Sequence, residues 1–167
     1  MVVLEHWGAG VVVAPYVAAT NSHNFNLVEP DAVLAVSRDY DLLFFRTDKE
    51  EPAPTADPRP GQAIVAYGQG ANKDLREAEG TIRATDVRVA ARCGRCREQK
   101  AISYDAAAGP GFSGGPLVDA KTGAVVGLTF GYRDIRGVNA GRRMFAYDMD
   151  TVLAEMHRLL AQNGPKN

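Results

Sequence analysis

Gly109-Pro110-Gly111-Phe112-Ser113-Gly114-Gly115-Pro116-Leu117 sets one serine in a glycine-rich turn, between an apolar approach and a hydrophobic strand. Such a turn exposes the serine hydroxyl. Its glycines leave backbone N–H groups clear to face a reacting carbonyl. Serine is a weak nucleophile at its free pKa. It needs a base within hydrogen-bond reach, and that base is usually oriented by a third group. The run therefore reads as a nucleophile loop only if a histidine and a buried carboxylate stand elsewhere in the chain.

The chain offers three histidines. His157 lies beside the apolar stripe of a predicted helix, and His6 in the N-terminal approach. His23 follows an apolar strand, in the polar turn Asn21-Ser22-His23-Asn24, where an imidazole can face a cleft. His23 is the expected base. Asp41 opens the apolar stretch Leu42-Leu43-Phe44-Phe45, which would hold it against a core, and it is preferred to Asp39 as the orienting acid. Gly111 and Ser113 are the expected N–H donors of an oxyanion hole, worth about 3 kcal/mol each in the transition state.

The rest of the chain reads as short strands. Gly10 to Ala14 and Tyr16 to Thr20 flank a turn at Pro15. Ala32 to Val36 and Asp41 to Phe45 follow. Residues 48 to 60 hold four prolines and four carboxylates, which no central strand or helix interior tolerates. Strand signals resume at Ala63 to Tyr67, Thr81 to Ala90, Ala101 to Ser103, Leu117-Val118, Ala124 to Gly131 and Arg143 to Tyr147. One helix is predicted, with Asp150 as N-cap, Val152, Leu153, Met156, Leu159 and Leu160 as its apolar stripe, and Asn163-Gly164-Pro165 as its stop. The expected division is a half over 1–50, a Pro-rich connection over 51–60, a second half over 61–147 and a helix over 150–162. Helices alternating with parallel strands are missing, which argues against an α/β hydrolase.

The chain resembles the trypsin-like (chymotrypsin-fold) serine proteases, and is most similar to their bacterial HtrA/DegP-like branch. Thr20-Asn21-Ser22-His23 resembles that branch's histidine motif, and Asp41-Leu42-Leu43-Phe44-Phe45 its aspartate motif. Asp105 to Leu117 resembles the nucleophile region. Phe145-Ala146-Tyr147-Asp148-Met149-Asp150 resembles the segment entering the C-terminal helix. The resemblance implies an all-β fold of two antiparallel β-barrels with the site in the crevice between them. His23 and Asp41 would come from the first barrel, and Ser113 from the second. It implies peptide hydrolysis through an acyl-enzyme, a polypeptide substrate and no cofactor or metal. Ala107 and Thr129-Phe130-Gly131 would wall a pocket for a small or medium apolar residue before the scissile bond.

Three departures accompany the resemblance. Phe112 stands where the family usually has Asp or Asn, so activation by a new N-terminal amine is not expected. Asp41 follows His23 by only 18 positions, which predicts a reduced first barrel. The chain ends soon after its helix, and no PDZ domain is expected. A catalytically inactive protease-like binding or assembly module stays open as the alternative.

Composition narrows the partners. Nineteen basic and 20 acidic residues give a formal charge of −1, which offers nucleic acid or an anionic membrane no attraction. No apolar run reaches membrane-spanning length, and no secretory signal is visible. Cys93 and Cys96 form a single CxxC pair, compatible with free thiols, a local disulfide or half of a metal site.

Overall fold

In the computed structural model of the chain, the described residues are 1–4, 8–70, 74–91, 96–135 and 141–162. The expected helix stop at 163–165, His6 and Cys93 lie outside them. Five strands form an N-terminal sheet: β1 (Val2–Val3), β2 (Ala9–Ala14), β3 (Val17–Thr20), β4 (Val33–Val36) and β5 (Leu43–Arg46), in the order β1-β2-β3-β5-β4. Its strand pairs are antiparallel.

The remaining strands are β6 (Ala63–Gln69), β7 (Leu75–Ala90), β8 (Glu98–Ala106), β9 (Pro116–Asp119), β10 (Val125–Ile135) and β11 (Gly141–Asp148). They pair in the cyclic order β10-β11-β8-β7-β6-β9, with β9 returning to β10. The expectation of two barrels is therefore corrected. The N-terminal half is an open sheet with β1 and β4 at its edges, and only the C-terminal strands complete a ring.

Side-chain alternation explains how an open sheet can stand here. Leu42 and Phe44 face a core shared with Val125, Leu128, Phe130, Tyr147 and the helix. Leu43 and Phe45 face the opposite side, where Leu4, Ala18 and Val28 cover them. Both faces are buried, so β5 is apolar from Leu43 to Phe45 and needs no ring closure to shield it. A third core fills the barrel, built on Ile64, Ile82, Ile102, Tyr104, Leu117 and Met144.

Local differences from the sequence reading are small and have physical causes. The polar turn after β3 is a 3₁₀ segment, Ser22–Leu27. β7 runs 16 residues and β8 nine, longer than expected, with register shifts between Ile82 and Val87 that break the alternation of β7. The helix α1 (Met149–Gln162) begins one residue before Asp150. Asp148 caps it, accepting a 2.8 Å bond from the Thr151 N–H. Val152, Met156 and Leu159 are its buried stripe.

The segment between the halves is tied to both. Ala53 N–H donates to Val12 O (3.1 Å), while Val125 N–H donates to Pro54 O (2.8 Å) and Ala56 N–H to Val125 O (3.0 Å). Among the described residues, no helix is long and apolar enough to cross a membrane.

Candidate active site

The sheet delivers His23 and Asp41 from two adjoining strands. β3 ends at Thr20 opposite Leu43 of β5, so the residues just past β3 meet those just before β5. Asp41 lies in the turn ahead of β5 rather than in the strand, with a fully buried side chain. One of its carboxylate oxygens accepts from Ser22 Oγ (2.8 Å) and from the His23 N–H (3.0 Å). The other stands 2.6 Å from His23 Nδ1. A carboxylate only accepts, so Nδ1 carries the proton and Nε2 is left as the basic nitrogen.

Two further bonds fix the backbone of Asp41. Asn21 Nδ2 donates to Asp41 O (2.9 Å), and the Asp41 N–H donates to Tyr147 Oη (2.9 Å). The Tyr147 hydroxyl donates in turn to Gln99 Oε1 (2.7 Å), and Gln99 Nε2 reaches Asp39 O. Burial pushes the Tyr147 phenol up, so it stays protonated through the neutral range. Asp39, the alternative acid, is exposed and pairs with Arg158 at 3.5 Å.

The barrel delivers Ser113 from the turn that enters β9. Gly111 and Gly114 have φ of 96° and 84°, the left-handed region that glycine tolerates best. A Cβ on Gly114 would stand 2.1 Å from Ala9 O and 2.2 Å from Thr20 Oγ1, so the loop touches the first sheet directly. Ser113 O accepts from the Ala9 N–H (3.1 Å) and from Asn24 Nδ2 (3.1 Å). The barrel side is held by Gly114 N–H to Thr129 O (2.7 Å) and Thr129 N–H to Gly115 O (3.0 Å). Neither the Gly111 nor the Ser113 N–H donates to a described residue. Phe112 points the other way, 4% exposed, into the barrel core beside Ala108 and Leu117.

His23 and Ser113 line one cavity of about 150 Å³. Among the described hydrogen bonds none joins the two side chains. Phe130 and Gly131 line the same cavity, with Ala90, Tyr132 and Arg133. Thr129 is buried, its Oγ1 2.7 Å from Tyr104 Oη. Ala107 lies elsewhere, on a second cavity of about 780 Å³ behind the nucleophile loop with Arg76, Pro110 and Arg142. Of the expected pocket residues, Phe130 and Gly131 thus line the first cavity, Ala107 the second, and Thr129 neither of these.

Sequence reasoning did not single out Asn24, Ser22, Tyr147 or Gln99. Asn24 is a polar residue buried one position from His23, and Ser22 belongs to the quoted histidine motif. Tyr147 carries no local sign, because it reaches Asp41 from 106 positions away. Cys96 is disulfide-bonded, which leaves the free-thiol reading of that residue without support. Among the described residues, no cluster of His, Cys, Asp or Glu could hold a metal ion.

The solved structures most like this chain include the HtrA-type protease AlgW with a decapeptide, at 21% identity and a TM-score of 0.75, covering 94% of this chain and 52% of AlgW. They also include the MamO protease domain of Magnetospirillum magneticum, at 19% identity and a TM-score of 0.69, covering 89% of this chain and 86% of that one. The active form of the Rv3671c protease of M. tuberculosis stands at 20% identity and a TM-score of 0.72, covering 96% and 74%. At these identities the likeness is one of fold, and the chain spans about half the length of AlgW. No curated protein matches it. The trypsin-like peptidase domain family matches residues 8–128, from the residue before β2 through the His–Asp pair and Ser113 into β10. A match over most of the chain, on a fold that seats a buried aspartate against a histidine, places this protein in the trypsin-like peptidase family.

Proposed function

We propose that the protein is a serine endopeptidase in which Ser113 is the nucleophile, His23 the general base and Asp41 the orienting acid. The observation that carries this is the 2.6 Å His23–Asp41 contact on the wall of the cavity that Ser113 also lines. As Ser113 Oγ attacks the peptide carbonyl, His23 Nε2 takes its proton, and the Asp41 carboxylate stabilises the imidazolium. The Gly111 and Ser113 N–H groups, neither of which donates to a described residue, hold the oxyanion. His23 then protonates the leaving amine. A water molecule, deprotonated by His23, releases the acid.

Thr129, Phe130 and Gly131 follow the nucleophile loop along β10 and are the surface against which an extended substrate would pair. An apolar residue of small or medium size is the expected occupant immediately before the scissile bond, because Phe130 brings an aromatic surface to the cavity Ser113 lines. Ala107 lines the other cavity and is not a wall of this pocket. A fluorophosphonate probe tests the mechanism: labelling should vanish in Ser113→Ala and fall strongly in His23→Ala. Folded wild-type protein that does not label is instead a protease-like binding module. Dominant cleavage after Arg or Lys would reject the apolar preference.

A further inference from the structure

We propose that Arg133 makes the site selective for a substrate carrying an acidic side chain about three or four residues before the scissile bond. This rests on the reading of the site as a protease. Arg133 lies on β10, four residues beyond Thr129, and lines the cavity that holds His23 and Ser113. β9 pairs with β10 only as far as Leu128, and Thr129 is taken by Gly114 and Gly115. Beyond that point the edge of β10 faces no described strand.

An extended peptide that adds antiparallel to this edge runs opposite to β10. It passes Arg133 first and reaches Ser113 last. The residue met by Arg133 is therefore amino-terminal to the scissile bond. Four residues of strand span roughly 13 Å, which sets the distance at about three or four substrate residues.

The charge around Arg133 is unbalanced. Its guanidinium stands 5.9 Å from the Phe145 ring and forms no ion pair with a described residue. Directly across on β11 is Arg143, a second cation, whose own partner is Asp105 at 2.9 Å. Asp105 is also shared with Arg83. No described carboxylate lines the cavity, and Asp41 is buried behind His23. The planar guanidinium thus faces the substrate path with its donors uncommitted, in the form that a carboxylate pairs with bidentately.

The test is a set of matched peptides with Glu, Gln or Lys scanned through the positions before the scissile bond. Wild-type protein should show kcat/KM about fivefold higher for Glu than for Gln at one of the third or fourth positions, shrinking in high salt. Arg133→Glu should reverse the order so that Lys is preferred. Its effect on the Gln peptide should be smaller than its effect on either charged peptide. Equal rates for Glu and Gln, or a Glu preference that survives in Arg133→Glu, would overturn the proposal. If wild-type protein cleaves none of the peptides, the protease reading is what has failed. Binding of the same peptides by fluorescence anisotropy then decides: tighter binding of the Glu peptide, lost in Arg133→Glu, supports the role of Arg133, and equal binding rejects it.

Discussion

The open sheet and the closed barrel hold their halves of the site by different means. On the sheet side, side chains hold Asp41: Ser22 and Asn21 bond to it, and Tyr147 of β11 reaches it from the barrel. The barrel holds Ser113 with backbone: two glycines at positive φ and a pair of main-chain bonds to Thr129 fix the loop. A group that must stay charged and buried needs several donors around it, and Ser22 Oγ, the His23 N–H and His23 Nδ1 supply them. A group that must offer N–H donors to a substrate needs those donors unblocked, and a glycine-rich turn provides that.

The two halves also differ in how they are closed. Each barrel strand has two neighbours. The sheet relies on burying both faces, one of them against the barrel and α1. Tyr147 stands at that junction, stacked on Phe130 at 4.2 Å and edge-on to Tyr40 at 5.7 Å. The halves are therefore one packed body at the level of the aspartate.

The largest expected effect separates chemistry from scaffold. Ser113→Ala and His23→Ala should each lower kcat by about 10⁶-fold, and Asp41→Asn by about 10⁴-fold, with Tm close to wild type for Ser113→Ala. Steady-state kinetics and thermal melts read both quantities. A residual activity near wild type in any of the three would break the assignment of roles between the halves.

Phe112→Ala should destabilise by about 3–5 kcal/mol, since it empties a well-packed place in the barrel core. Phe112→Leu should recover most of that in a denaturant titration and keep kcat/KM near wild type. If Phe112→Leu is stable but inactive, the ring does more than anchor the loop.

Tyr147→Phe removes the acceptor of the Asp41 N–H and leaves a buried donor unpaired, a cost of about 1–3 kcal/mol. Its effect on kcat should exceed its effect on KM, because the change reaches the aspartate and not the substrate path. An unchanged kcat would show that the sheet's own side chains suffice.

The smallest effect is a pH dependence on each side. In the barrel, Asp119 accepts from Gln62 Nε2, the Thr122 N–H and the Lys121 N–H, which holds its pKa at about 2. At the helix, burial opposes ionisation of Glu155, but bonds from Arg158 and Ser37 outweigh it and keep the carboxyl below its ordinary value. Both folded pKa values lie below the unfolded ones. Their stabilisation is therefore complete above the unfolded carboxylate range, about pH 4, and is lost as pH falls through the folded values. For Asp119 the window runs from about pH 4 down to about 2. Melts across that range should show Asp119→Asn losing less Tm on acidification than wild type, and a parallel slope would reject the linkage.

Strand positions were legible because alternation and turn residues are local. The Leu42-Leu43-Phe44-Phe45 run announced a buried strand without showing that its two faces belong to different cores. The Ser113 loop was legible for the same reason, since its glycines answer a backbone need within five residues. The family motifs named His23 and Asp41. Their separation of 2.6 Å depends on β3 and β5 being neighbours, which only folding brings about.

The sequence by itself determined the β-rich character, the glycine loop, the candidate base and acid and the C-terminal helix, because each rests on contacts or conformations within a short stretch of chain. The tertiary structure alone decided that the first half stays an open sheet and that Tyr147 buttresses Asp41. It also placed Phe112 in a core and Arg133, not Ala107, beside Ser113. Those outcomes depend on pairings between residues tens of positions apart. Such pairings follow from how whole faces are buried, and no local pattern encodes them.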